Sequence, residues 1–170
     1  LLDHSLSSSD KLSLIIPQII AVLIILFLIL PLHELAHGWV AYKFGDRTAK
    51  NAERLTFNPL VSIDPWGALM ILLFGFGWAR PVPVNPNNFK NPRVGMAVTA
   101  AAGPISNFLA ALIGAFIYVA VLVGSGFSVS QLSFGMELLW TFIAINISLA
   151  VFNLIPIPPL DGSKILASFL

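Results

Sequence analysis

The segment from Leu14 to Leu32 constrains the fold of this chain more than any other. It is apolar throughout except for Gln18, and about 20 consecutive apolar residues are what an α-helix needs to cross the hydrocarbon core of a bilayer. The composition points the same way, because 57% of the 170 residues are hydrophobic and only 10% are charged, against roughly 25% charged in soluble domains. We therefore predict an integral membrane protein built as one compact, membrane-embedded unit.

Three apolar stretches are long enough to span a membrane. The first helix is predicted from Leu14 to about Phe44, with a kink at Pro31, because a proline inside a helix removes one backbone hydrogen bond. The second is predicted from Arg93 to about Gly124 and the third from Phe134 to Ile155. The predicted fold is thus all-α, with a three-helix transmembrane core.

A short strand-like or re-entrant insertion is predicted between the first two spans. Residues Glu53 to Ile63 alternate loosely in polarity and contain the turn-forming pair Asn58-Pro59, which indicates one or two short strands. The apolar stretch Trp66 to Trp78 is too short to span as a helix. Basic residues flank this insertion on both sides, and the positive-inside rule places them in the cytosol: Lys43, Arg47, Lys50, Arg54, Arg80, Lys90 and Arg93.

The remaining composition limits the partners and the chemistry. Residues 1–13, which include His4, are predicted to form a polar tail, and residues 14–170 the membrane core; the helical pattern is still running at Leu170, so we expect further spans beyond it. The chain has no cysteine, which excludes thiolate metal ligands and thiolate catalysis. A net charge of +1 with scattered basic residues predicts no nucleic-acid partner.

A metal-binding motif lies at the inner end of the first span, in His33-Glu34-Leu35-Ala36-His37. On a helix the two histidines share one face, and Glu34 lies close enough to act on a water held by their ion. This is the pattern of a zinc hydrolase, in which the ion lowers the pKa of water and the carboxylate takes its proton. The motif also arises by chance on ordinary helices, but a charged residue inside a membrane helix costs about 2.5–3.5 kcal/mol, which counts against chance here.

Asp161 is the predicted third zinc ligand, because catalytic zinc sites have three protein ligands and an open position. It follows the prolines that break the third span, and discontinuous helices in membranes tend to mark binding sites. Among the other downstream carboxylates, Asp46 and Glu53 are predicted to lie in a basic, solvated loop, Asp64 in a turn and Glu137 on the outer side. One Zn²⁺ per chain would also balance the charges of Asp161 and Glu34.

The order of several motifs resembles the site-2 protease family of intramembrane zinc metalloproteases, in its compact prokaryotic branch. The motifs are HELAH at 33–37, FNPL at 57–60, IDP at 63–65, FGWARPVPVNP at 76–86, AGPISN at 102–107 and NLIPIPPLDG at 153–162. The resemblance implies that His33, His37 and Asp161 bind zinc and that Glu34 is the general base. It also implies that Asn153 steadies the substrate backbone or the developing oxyanion.

The predicted function is zinc-dependent hydrolysis of peptide bonds in or near transmembrane segments of membrane-protein substrates. Asn107 is a further candidate for substrate binding, although hydrogen bonding between helices explains either asparagine as simply. The expected location is a prokaryotic cell membrane, in contact with lipid and with the active site nearer the cytosol. Two alternatives remain open at this point: a membrane metal carrier or sensor, and a catalytically silent scaffold that binds membrane segments. The substrate, its regulation and the oligomeric state stay undetermined.

Overall fold

The computed structural model describes residue 16 and residues 19–75, 77–125 and 133–170, so the predicted tail 1–13 lies outside the described residues. Three of its helices are long and apolar enough to cross a membrane, and they confirm the predicted all-α core of three spans. In chain order the helices are α1 (Ile19–Lys43), α2 (Thr48–Asn51), α3 (Pro65–Phe74), α4 (Pro92–Gly124), α5 (Ser133–Asn153) and α6 (Asp161–Ala167). The spans are α1, α4 and α5.

The distortion predicted at Pro31 takes the form of a π-helical segment. Residues Ile25–Ile29 are wound as a π-helix, and the N–H of Leu30 donates to the carbonyl of Ile25. Pro31 has no backbone N–H and cannot donate a hydrogen bond to the preceding turn. The wider π-helical turn rearranges the backbone hydrogen bonds in that region. Wide turns of this kind are frequent next to functional sites. Here the regular α-helix resumes at Leu30, one turn before His33.

Helix α4 is the centre of the bundle, because α1, α5 and α6 all pack against it. Its buried face consists almost entirely of small residues: Gly95, Thr99, Ala100, Ala102, Gly103, Pro104, Asn107, Ala110, Ala111 and Gly114. Small residues let helix backbones approach closely in a membrane. At Gly114, for example, an added Cβ would stand only 2.9 Å from Cγ1 of Ile143 on α5.

The predicted strands are wrong for the part of the chain that the structure describes. The segment contains a 3₁₀ helix, Pro59–Val61, followed by α3, and its only trace of sheet is one antiparallel bridge between Ile63 and Ala79. Helix capping explains the difference. Both of these helices begin with a proline, and the side chain of the residue before that proline accepts a hydrogen bond from a backbone N–H. The alternation of polar and apolar residues in this segment did not indicate that these side chains cap helices. That α3 is re-entrant stays a prediction.

The third span, predicted to run to Ile155, ends at Asn153, and the chain resumes as α6 at Asp161. The seven residues between fold back over the first turn of α6. A Cβ on Gly162 would stand 2.2 Å from the carbonyl oxygen of Leu154, so only glycine fits beneath this loop. The loop and α6 together fix the position of Asp161.

The loop after α1 is held by a buried carboxylate. Asp46 is fully buried, and it accepts hydrogen bonds from the backbone N–H of Thr48 at 3.0 Å and of Asn85 at 2.7 Å. It also accepts one from Nδ2 of Asn88 at 2.7 Å. Since Asn85 and Asn88 border the 3₁₀ helix Pro86–Asn88, Asp46 ties the end of the insertion to the end of α1. The insertion is thereby fixed against the helix that carries the HELAH motif.

Candidate metal centre

Helix α1 brings its two histidines together in the interior of the bundle. His33 and His37 lie one turn apart, and their Nε2 atoms are 3.0 Å from each other. The ring planes are nearly perpendicular, at 83°. Both residues are buried, with 6% and 8% of their surface exposed, although they lie on a span. Two nitrogen donors at one point inside a membrane helix are what the motif predicted.

Asp161 completes the group, from the far end of the chain. Its Oδ2 lies 3.2 Å from Nε2 of His33 and 3.0 Å from Nε2 of His37. Three ligands held tetrahedrally at about 2.0–2.1 Å from one zinc ion lie about 3.3 Å apart, so the three donor atoms are spaced as a single ion requires. These residues form the one group of at least three potential ligands found within the described part of the chain.

Gly103 on α4 keeps the space beside these donors open. A Cβ at this position would stand 2.4 Å from Nε2 of His37 and 2.6 Å from Nε2 of His33. The methyl group of an alanine would therefore fill the place that an ion needs. No role was predicted for Gly103 from the sequence, although its position in the small-residue stretch before Pro104 was a usable signal. The donor spacing and this open space both fit a metal ion.

Further contacts orient the ligands. Nδ1 of His37 lies 2.7 Å from the carbonyl oxygen of Thr99 on α4, near the point where Pro104 interrupts the helical hydrogen bonds. A ring N–H donated to a backbone carbonyl fixes the tautomer and leaves the other nitrogen to the metal. The sequence analysis did not identify Thr99, because it contributes its backbone and not its side chain.

Lys164 supports the carboxylate ligand from the next turn of α6. Its Nζ lies 3.0 Å from Oδ1 of Asp161, the oxygen that does not face the histidines. The positive charge of Lys164 favours the anionic form of Asp161, which is the form that binds a metal.

Glu34 is half-buried beside the ligand group. Its Oε2 accepts a hydrogen bond of 2.9 Å from the backbone N–H of Val82, which belongs to the insertion. The carboxylate is thus held by a segment that lies more than forty residues further along the chain. Sequence reasoning predicted the place of Glu34 on the helix but gave no role to Val82.

The two candidate asparagines have different surroundings. Nδ2 of Asn153 donates to the carbonyl of Leu149 on its own helix, so the described contacts do not bring this amide to the ligand group. Asn107 is fully buried, and neither its Oδ1 nor its Nδ2 has a hydrogen-bond partner. It lies one turn beyond Gly103 on the buried face of α4. Its unpaired amide leaves both a donor and an acceptor for a ligand.

The carboxylates set aside by the sequence analysis lie apart from the metal-binding group. Asp46 anchors the loop described above, and Asp64 caps α3 by accepting the N–H of Gly67. Glu53 and Glu137 are exposed. The prediction of a solvated position is wrong for Asp46, which is fully buried because its carboxylate is hydrogen-bonded within the loop. That Glu137 lies on the outer side of the membrane stays a prediction.

Comparison with known proteins identifies the family. The sequence matches Peptidase family M50 over residues 21–135 and 123–170. It is 44% identical over 153 residues to YwhC of Bacillus subtilis, whose name assigns it provisionally to the zinc metalloproteases, and the match covers 89% of this chain and 68% of YwhC.

More distant relatives carry similar names. Identity is 31% to the zinc metalloprotease MJ0392 of Methanocaldococcus jannaschii, over 86% of this chain but 33% of the relative. It is 29% to Rip2 of Mycolicibacterium smegmatis, over 77% of this chain and 50% of the relative. No solved structure is a significant match. The chain belongs to peptidase family M50, the zinc metalloproteases, and is a multi-pass membrane hydrolase that acts on peptide bonds.

Proposed function

We propose that this chain is an intramembrane endopeptidase that cuts peptide bonds in or near the transmembrane segments of its substrates. The observation that carries the proposal is the convergence of His33 and His37, on the first spanning helix, with Asp161, on α6, within one buried group. A charged residue in such a place needs compensation, and a divalent cation supplies it. Because the chain spans half or less of MJ0392 and Rip2, the activity of longer relatives is not transferred to it.

The protein's own groups divide the work as follows. His33, His37 and Asp161 would hold the zinc ion, which when bound would polarise the scissile carbonyl and make water acidic enough to lose a proton near neutral pH. Glu34 accepts that proton and then passes it to the leaving amine. The bond broken is the amide C–N bond, and the elements of one water are divided between the new carboxylate and amine. Lys164 and the carbonyl of Thr99 keep the ligands oriented.

Substrate handling follows from the surroundings of the site. A transmembrane helix hides its peptide bonds within its own hydrogen bonds, so it must unwind locally before hydrolysis. We propose that Asn107 binds the substrate backbone groups that unwinding exposes, since its side-chain amide is buried and unpaired. Asn153 is assigned the same task from the other helix, after release of its own contact to Leu149. From the basic residues around the insertion we infer that the site lies nearer the cytosol.

Cleavage of a single-span substrate by the purified chain in lipid nanodiscs tests the function. We expect cleavage that stops on zinc chelation and returns when zinc is added. Glu34→Gln should keep the zinc and lose at least about 100-fold in rate, the lower range for a general base. Asp161→Asn should lower both zinc content and rate.

Three results would contradict the proposal. Cleavage at the parental rate by Glu34→Gln would show that Glu34 is not the general base. Unchanged zinc stoichiometry in Asp161→Asn would show that Asp161 is not the third ligand. A zinc-loaded parent that cleaves no membrane substrate would favour a metal carrier or sensor. As a matched carboxylate control we suggest Glu137→Gln, which removes an exposed charge at the start of α5 and should leave both zinc content and cleavage unchanged.

A further inference from the structure

An extended segment of the insertion lies across the helix that carries the HELAH motif. We call residues 80–84 the strap. Its Val82 N–H is the donor to Glu34, and a Cβ at Gly38, one position after His37, would stand 3.2 Å from the Val82 side chain. The strap therefore rests directly on α1 at the turn that contains the metal-binding histidines.

Arg54 holds the strap from the other side. Its Nη2 donates to the carbonyl of Arg80 at 2.6 Å and its Nη1 to the carbonyl of Pro81 at 3.3 Å. A third bond comes from the N–H of Arg80, which donates to the carbonyl of Ser62 at 2.9 Å. Two adjacent carbonyls are thus fixed by one guanidinium, immediately before the residue whose N–H reaches Glu34.

Prolines make this arrangement depend on a single donor. Pro81 and Pro83 have no backbone N–H, so Val82 is the one residue in the centre of the strap that can donate to a carboxylate. A shift of the strap along α1 would leave Glu34 facing a proline. The register of the strap consequently decides whether Glu34 is held.

We propose that Arg54 is a positioning residue for Glu34 and acts through the strap. The inference rests on the proposed function, in which Glu34 is the general base. With Oε2 occupied by the Val82 N–H, the carboxylate is kept in one orientation and its other oxygen, Oε1, is left for the proton transfer. A guanidinium suits this task because its planar fork binds two acceptors at once, whereas an ammonium offers a point charge.

Kinetics on substitutions at Arg54 test the proposal. A misplacement of about 1 Å at a catalytic group can cost about 100-fold in rate, so Arg54→Met should lower kcat by between about tenfold and 100-fold. KM and zinc content should stay at parental values, because Arg54 touches neither the ligand group nor the proposed substrate amides. Arg54→Lys should restore part of the loss.

Arg47→Met is the matched control. Arg47 is exposed, and none of the hydrogen bonds or ion pairs found among the described residues involves its side chain. Its removal deletes the same charge and should leave kcat unchanged. Equal kcat in Arg47→Met and Arg54→Met would overturn the proposal, as would a loss of zinc or of thermal stability in Arg54→Met large enough to account for its loss of activity.

Hydrogen–deuterium exchange of the strap gives a readout that needs no zinc. A peptide of residues 80–85 reports only three amides, those of Val82, Val84 and Asn85, since two of its residues are proline and its first residue carries a free amine. Arg54→Met and Glu34→Ala should both speed exchange in this peptide, and Arg47→Met should not. Unchanged exchange in Arg54→Met would show that Arg54 does not hold the strap. If the parent cleaved nothing, the proposed function would fail, while the exchange result would still decide this contact.

Discussion

Replacing Gly103 by alanine should deprive this chain of its zinc. The added Cβ would stand 2.4 Å from Nε2 of His37 and 2.6 Å from Nε2 of His33, whereas carbon and nitrogen atoms not bonded to each other rest about 3.5–4.0 Å apart. Relief requires that the rings or α4 move by about 1 Å. A metal site tolerates only about 0.2 Å in its ligand distances, so the two imidazoles cannot both remain ligands.

The size of the effect follows from that displacement. Loss of a group that merely orients a ligand costs about 10–100-fold in metal affinity. Displacing the ligands themselves should cost more, so we expect zinc affinity to fall at least about 100-fold, or about 2.8 kcal/mol at 1.4 kcal/mol per factor of ten. Competition with a chromophoric chelator measures the affinity, and elemental analysis of the purified protein measures the metal content.

Gly124→Ala on the same helix is the matched control. A Cβ at Gly124, the last residue of α4, would meet nothing within 4 Å, so zinc affinity should not change. Equal zinc affinity in the Gly103→Ala and Gly124→Ala proteins would refute the argument, because it would mean that the space beside the imidazoles is not where the ion binds.

Two further predictions concern groups around the site. Lys164→Met should weaken zinc binding about tenfold, because groups that orient a metal ligand contribute about 10–100-fold in affinity and Lys164 is half exposed. Chelator competition measures the zinc affinity, and Lys90→Met, which removes an exposed lysine, is the control. Burial raises the pKa of Asp46, but hydrogen bonds from Thr48, Asn88 and the N–H of Asn85 outweigh it and lower that pKa. The stabilisation is therefore complete above the unfolded pKa of about 3.9 and is lost as the pH falls below it. Asp46→Asn should lower stability at neutral pH by about 1–3 kcal/mol and flatten this acid dependence, as measured by thermal unfolding; an unchanged acid profile would contradict it.

The sequence predicted those features that depend on hydrophobicity and on spacing along one helix. The three spans follow from long apolar runs, and the pairing of His33 with His37 follows from the helical repeat. The place of Asp161 followed from elimination, because no other carboxylate combined a helix break with membrane depth. Each of these inferences uses either the residue types of one short segment or the hydrophobicity summed over a longer one.

Features that depend on contacts between distant segments were not predictable in this way. Gly103 leaves space for the two imidazoles because it has no side chain. The periodicity of α4 does not indicate which residues of another helix lie opposite this position. Val82 and Thr99 act through backbone atoms, so their side-chain identities give no signal. The insertion was misjudged because the caps at Asn58 and Asp64 decided its helices, whereas polarity alternation suggested strands.

The separation of the ligands along the chain has a consequence for biosynthesis. His33 and Asp161 stand 128 positions apart, so a ribosome has nearly finished this region before the aspartate emerges. During translation the imidazoles enter the lipid long before their carboxylate partner does. With the proposed ligand set, a half-made polypeptide therefore has no hydrolytic centre, and the insertion machinery around it meets no active protease until α6 has docked.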